Sequence, residues 1–249
     1  MTKIAHVITG LESGGAENML VRLAERLEGS DLRQGVLTFR AGGRLAHRFR
    51  EMGIPVEALG LKKGPGDAFR LLRLWGWLRS GKFDLVQTWL PDPNVVGGSA
   101  AWTLGIPVVW GLHQANLSPA LNGPRTRRMI RWGAWLSHRV PRRIVCVGEA
   151  VRRAHVDMGF DPDPMRVIPL GFDTDLFRPR PQAREAVRLA WRTAPEVPVI
   201  GLVARYDPHK DVPTFLDAAR SFRSRHPKAR FVLCGAGMEW ANALRRSPK

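Results

Sequence analysis

Short apolar runs of strand length alternate along this chain with stretches whose apolar residues recur at helical spacing. Parallel strands need crossover connections, commonly helices, and those helices cover both faces of the sheet, so the alternation points to a doubly wound α/β fold. The spacing predicts a first strand over Ile4 to Thr9 and a helix over Ala16 to Glu28, with Met19, Leu20, Leu23, Ala24 and Leu27 on one face. Further strands are expected at 35–39, 56–59, 85–89, 107–112, 143–147 and 166–168. Helices are expected at 45–52, 71–78, 94–104, within 125–143 and at 149–158. Residues 171–181 break this rhythm with turn formers and prolines. A new cycle follows: helix 184–191, strand 199–204, helix 213–225, strand 230–234. Two parallel strands cannot bury both faces of a sheet. The expected organisation is a complete Rossmann-like domain over 1–170, a linker over 171–181, and an incomplete second Rossmann-like domain over 182–249 whose tail, Ala243 to Lys249, lacks the next strand.

Composition narrows the function classes. Hydrophobic residues make up 44% of 249, too many for a disordered polymer. No apolar run approaches the roughly 20 residues that span a bilayer, and the apolar stretch at the N-terminus is too short for a signal peptide. Cys146 and Cys234 each sit inside an apolar run, so they read as buried thiols of a reducing, cytoplasmic compartment. The net charge of +17 is shared: 24 basic against 16 acidic residues up to Asp175, and 15 against 6 beyond it. Two stretches set arginines beside tryptophan, 69–82 and 125–143. Such helices suit an anionic membrane surface, with nucleic acid as the rival partner. They equally suit basic solvated faces whose tryptophans pack inward.

Several strand ends carry groups with chemical potential. After the first strand comes Gly10-Leu-Glu-Ser-Gly-Gly-Ala-Glu17, where Gly14 and Gly15 open a helix. Exposed N–H groups there favour a phosphate, although a tight turn capped by Ser13 or Gly14 explains the same residues. The spacing matches neither the dinucleotide fingerprint nor the P-loop. His113 directly follows the fifth strand, where an imidazole can meet a ligand hydroxyl or act in proton transfer, or can serve only the fold. In the second part, Arg205-Tyr-Asp-Pro-His-Lys210-Asp211 follows a strand. Arg205 and Lys210 could clamp a diphosphate or be surface charge; we favour the clamp, with Asp211 capping the next helix. Gly235-Ala-Gly237 after the last strand is a weak signal on its own. The His and Cys spacing suggests no structural zinc.

In order along the chain, Gly14-Gly-Ala-Glu17, His113, the stretch Val167 to Pro179, and Arg205 to Asp211 resemble the retaining, nucleotide-sugar-dependent glycosyltransferases of the GT-B fold, family 4-like. The resemblance implies that Gly14 and Gly15 pack beside the donor diphosphate and that His113 lies near the reacting sugar. It also implies that Arg205 and Lys210 neutralise the leaving diphosphate, so that no metal or other cofactor is needed. The implied reaction moves a sugar from a nucleotide-diphosphate donor to a lipid-linked or saccharide acceptor with retention, in envelope polysaccharide or glycolipid synthesis at the inner face of the plasma membrane. There are two departures. Leu170 stands where the family usually has Asn, and the downstream pair of glutamates is missing, as in a truncated chain; Glu239 comes too early to replace it. The alternatives are a catalytically incompetent fragment that binds anionic lipid or nucleic acid, and a related sugar phosphorylase or epimerase.

Overall fold

A computed structural model describes residues 1–239 apart from Lys63 and Pro65. The tail motif from Ala243 onward lies outside the described residues. The chain divides into two compact units, Met1–Gly171 and Phe172–Lys249.

The first unit runs β1 (Thr2–Ile8), α1 (Gly15–Arg26), β2 (Leu32–Thr38), α2 (Ala46–Glu51), β3 (Val56–Ala58), α3 (Asp67–Gly81) and β4 (Leu85–Trp89). It continues with α4 (Pro91–Thr103), β5 (Val108–Leu112), α5 (Pro124–Ser137), β6 (Arg143–Cys146), α6 (Glu149–Asp157) and β7 (Met165–Val167). The seven strands form one parallel sheet in the order β3-β2-β1-β4-β5-β6-β7. Chain order reverses between β1 and β4, so the carboxyl ends of those two strands border a crevice. Helices cover both faces of the sheet, and the last four residues of β1 and of β2 are buried. Helix α4 differs from the amphipathic α1. Its small residues Gly97, Gly98, Ala100 and Ala101 are all buried, which lets the helix lie close against the sheet. Asn94 anchors its first turn, accepting from Thr88 Oγ1 at 2.7 Å and donating to the Gly111 carbonyl at 3.2 Å.

The second unit holds α7 (Pro181–Ala190), β8 (Val199–Val203), a 3-10 turn (Pro208–Lys210), α8 (Val212–Arg225) and β9 (Arg230–Cys234). Strands β8 and β9 pair in parallel as a two-stranded sheet. Its apolar cluster is small: Val212 and Met238 are buried, with Leu202, Ala204, Leu216 and Leu233 packed partly against them. Helix α7 has no buried residue, and Val203 in β8 is 82% exposed.

The two cysteines part company. Cys146, in the interior strand β6, is buried, and burial pushes its thiol up to about 11. Cys234 is exposed, against the expectation of a buried thiol, because among the described residues β9 pairs only with β8 and its side chains are only partly covered. A thiol reagent at pH 8 is therefore expected to label Cys234 alone in the native protein and both cysteines in denaturant. Two native labels would show that β6 is not the packed strand described.

Candidate functional site

In the first unit, the loops after β1, β2 and β4 enclose a cleft of about 350 Å3 at the crevice where chain order reverses. Thr9 to Glu12 form one wall, Arg40 to Gly42 a second, and Leu90 to Asp92 a third. Leu90 takes φ 80° and ψ 161°, a backbone region that is essentially restricted to glycine. Strain of this kind costs about 1–3 kcal/mol and is often stored beside ligand sites.

The glycine pair opens α1 as expected, with Gly14 at the N-cap and no side-chain cap. A Cβ on Gly14 would collide with the carboxylate of Glu17, which lies against the start of the helix and also lines the cleft. The place suited to an external phosphate is thus already faced by a carboxylate of the chain itself, and a bound phosphate would need Glu17 to turn away.

His113 follows β5, and its ring stacks on Trp89 with centroids 5.2 Å apart at 21°. Its Nε2 is buried without a hydrogen-bond partner among the described residues. Burial pushes the imidazole down to about 4, so it is neutral at pH 7. Trp89 also reaches a residue that sequence reasoning passed over. Its Nε1 donates to Nδ1 of buried His6 at 3.4 Å, which leaves the Nε2 hydrogen of His6 for Gln34 Oε1 at 3.3 Å. Gln34 in turn donates to the Ala24 carbonyl at 3.3 Å. This chain of contacts ties β5, β4, β1, β2 and α1 together beside the crevice. His6 is likewise held neutral, pushed down to about 4 by burial, and His155 is shifted the same way. The unfolded imidazoles titrate near 6.5, so between about pH 6.5 and 4 the unfolded chain binds protons that the native chain refuses. Stability is therefore present above pH 6.5 and lost as pH falls toward 4, by about 3 kcal/mol for His6. Urea midpoints measured from pH 7 to 4.5 should fall, and less steeply in His6→Gln; an unchanged slope would refute this assignment.

In the second unit, Arg205 leaves the end of β8 and grips Asp207, with both Nε and Nη2 3.0 Å from Oδ2. The Asp207 carboxyl lies below the usual range, first because it accepts the backbone N–H of His209 at 3.0 Å and then because of Arg205. The guanidinium is oriented, yet the Arg205 side chain is still 58% exposed. Lys210 is exposed at the end of the 3-10 turn. Asp211, at φ 47°, caps α8 by accepting from the Thr214 N–H at 3.4 Å. The loops after β8 and β9 are fastened together, with Ala204 N–H donating to the Cys234 carbonyl at 2.9 Å and Tyr206 N–H to that of Ala236 at 2.8 Å. Gly235, at φ 145°, makes that approach feasible, since a Cβ there would overlap the Ala204 carbonyl oxygen. Arg205 and Lys210 thus share one short, well-anchored loop, while Gly14, Gly15 and His113 belong to the first unit. Among the described residues no group of three or more His, Cys, Asp or Glu could hold a metal ion.

The profile of Glycosyltransferase Family 4 matches residues 13–176, from the glycine pair through the last strand of the seven-stranded sheet. The chain belongs to this family. Among curated proteins, this family 4 chain is 24% identical over 248 residues to the "Putative glycosyltransferase EpsF" of Bacillus subtilis, covering 94% of itself and 62% of EpsF. Among solved structures, Alr3699/HepE from Anabaena, crystallised with UDP and glucose, superposes with a TM-score of 0.79 at 22% identity, covering 99% of this chain and 65% of HepE. Sucrose-phosphate synthase from Thermosynechococcus elongatus gives 0.67 at 14% identity, covering 94% and 62%. At these identities the structural likeness shows the fold, which is GT-B-like. The chain spans under two thirds of the length of these relatives. UDP-N-acetylglucosamine 2-epimerase from Rickettsia bellii also superposes, at 0.58 and 10% identity, so the fold alone does not choose among sugar-nucleotide chemistries.

Proposed function

We propose that this family 4 chain transfers a sugar, with retention, from a nucleotide-diphosphate donor to a lipid-linked or saccharide acceptor in cell-envelope synthesis. The observation that carries the reading is the loop after β8, where Arg205 is oriented by Asp207 and Lys210 stands exposed five residues on. When the bond from the anomeric carbon to the diphosphate oxygen breaks, the electron pair stays on that oxygen and the leaving group gains one negative charge on top of those it already carries. A planar guanidinium and an ammonium placed beforehand stabilise that charge without reorganising. Neutral His113 supports the same reading: an uncharged imidazole can hydrogen-bond a sugar hydroxyl without competing for the diphosphate. The unit Met1–Gly171, with its cleft between β1 and β4, takes the acceptor in this proposal, and Phe172–Lys249 the donor. A phosphate bound at Gly14 and Gly15 would need Glu17 displaced. The enzyme would work on the cytoplasmic side of the plasma membrane; no helix among the described residues is long and apolar enough to cross a membrane.

The test is donor consumption. With UDP-glucose or another UDP-sugar and a lipid or saccharide extract, UDP release should depend on the acceptor fraction and proceed without inorganic phosphate. Consumption of free phosphate would instead indicate a phosphorylase, and conversion of the donor sugar with no acceptor an epimerase.

A further inference from the structure

The first unit contains seven tryptophans, and the structure sorts them sharply. Trp89 and Trp110 are buried in the core. Trp75 and Trp77 on α3 are half-buried: Trp75 Nε1 donates to Thr103 Oγ1 at 3.0 Å, and Trp77 packs on Phe83 with centroids 4.5 Å apart. The other three stand in solvent: Trp102 at 52%, Trp132 at 56% and Trp135 at 65% exposure. Trp132 and Trp135 lie one turn apart on α5, and Arg139 links Trp135 to Trp102. On α5, Arg128, Arg131, Trp132 and Trp135 form one exposed stripe, continued by Arg139 just past the helix, while Met129, Ile130, Gly133, Ala134 and Ser137 face the core. Arg139 lies over the Trp135 ring, 5.5 Å from its centroid. The same Arg139 shares a groove of about 350 Å3 with Trp102 and Arg142.

The charge of this face is one-sided. From Pro93 to Gly148 the sequence has seven arginines and no acidic residue. Of the acidic groups that reach it from elsewhere, Asp92 pairs with Arg125 and Asp161 with His138, leaving the stripe itself without a carboxylate partner among the described residues. The core side of α5 is packed by other residues, and all three indoles keep more than half of their surface in water beside arginines. Indoles settle at the level of lipid headgroups, and guanidinium groups pair with lipid phosphates.

We propose that the Trp102, Trp132 and Trp135 face docks on an anionic phospholipid bilayer, with a headgroup phosphate in the groove between Arg139 and Arg142. This names the surface behind the membrane location given above and stands apart from the transfer chemistry, because vesicle binding needs neither donor nor acceptor. Relative to the sequence reading, it drops the α3 tryptophans from the contact.

Vesicles of phosphatidylglycerol and phosphatidylcholine, and vesicles of phosphatidylcholine alone, should be sedimented with the whole chain at low and high salt. Retention is expected on the anionic vesicles only, falling steeply with salt. Trp132→Ala with Trp135→Ala should reduce retention at least about tenfold, and Arg131→Ala or Arg139→Ala about fivefold each, as a contribution near 1 kcal/mol per arginine converts. Phe69→Ala with Leu72→Ala on α3 should change nothing. Acyl-brominated anionic vesicles should quench the fluorescence of the parent protein much more than that of the double tryptophan variant, and the melting temperatures of both should agree. No retention on anionic vesicles, equal retention by the tryptophan variant, or retention on neutral lipid alone would each overturn the proposal. Binding to duplex DNA in place of vesicles would overturn it in favour of a nucleic-acid surface.

Discussion

Replacing Arg205 and Lys210 together by alanine is expected to lower sugar transfer by about 10³-fold or more while leaving the fold intact. Loss of a single preorganised donor to developing negative charge typically costs about 10²–10³ in kcat. Here two permanent cations would be removed from one loop. Neither supports the core: Arg205 is more than half exposed and Lys210 is exposed, so thermal midpoints should move little. Lys at position 205 should recover only part of the rate, because an ammonium keeps the charge but loses the planar fork. Asp207→Asn separates positioning from charge. It frees the guanidinium from its two contacts at 3.0 Å, so its expected effect is smaller and falls on kcat more than on donor KM. Unchanged transfer in the double variant would remove the diphosphate clamp from the proposal.

The second large effect concerns Gly235. An alanine there must adopt φ near 145° and place its Cβ on the Ala204 carbonyl oxygen. Backbone strain alone costs about 1–3 kcal/mol, and the clash adds to it. Among its described residues the second unit has few buried ones to absorb that loss, with Val212 and Met238 at the centre of its apolar cluster. Gly235→Ala should therefore unfold or loosen Phe172–Lys249 while the seven-stranded sheet survives. Limited proteolysis should then leave a resistant fragment close to Met1–Gly171. The Ala204–Cys234 and Tyr206–Ala236 hydrogen bonds would go with the loop geometry, and donor binding with them. Equal protease resistance of both units in the variant would contradict this account of the loop.

Most of the fold could be read from periodicity alone, and the exceptions have physical causes. Leu85–Trp89 and Arg230–Cys234 are the strands that the apolar runs predict. Helix α3 begins at Asp67 rather than Leu71, because its first turn carries no apolar repeat. Helix α7 begins at Pro181, within the expected linker, since proline is well tolerated in the first turn of a helix. The exposure of Cys234 was invisible because an apolar run does not say how many neighbours its strand will have.

At the candidate site, single strand ends were legible and contacts across strands were not. Arg205, Lys210 and the Asp211 cap stand out as a charged loop after a strand. The contacts of Trp89 with His6 and His113 depend on sheet order and register, which no local pattern encodes. The approach of Glu17 to Gly14 depends on a side-chain rotamer. Tryptophan direction also needed the fold: both basic stretches carry the residue, yet only α5 turns it outward.

The central claim is most directly tested by following a radiolabelled UDP-sugar, with the parent chain and the Arg205→Ala, Lys210→Ala variant, into lipid and saccharide acceptors, and assigning the anomeric configuration of the product. The expected result is labelled acceptor with the donor's configuration, formed by the parent and almost absent with the variant. No labelled acceptor from any donor, inversion at the anomeric carbon, or equal labelling by both proteins would contradict it.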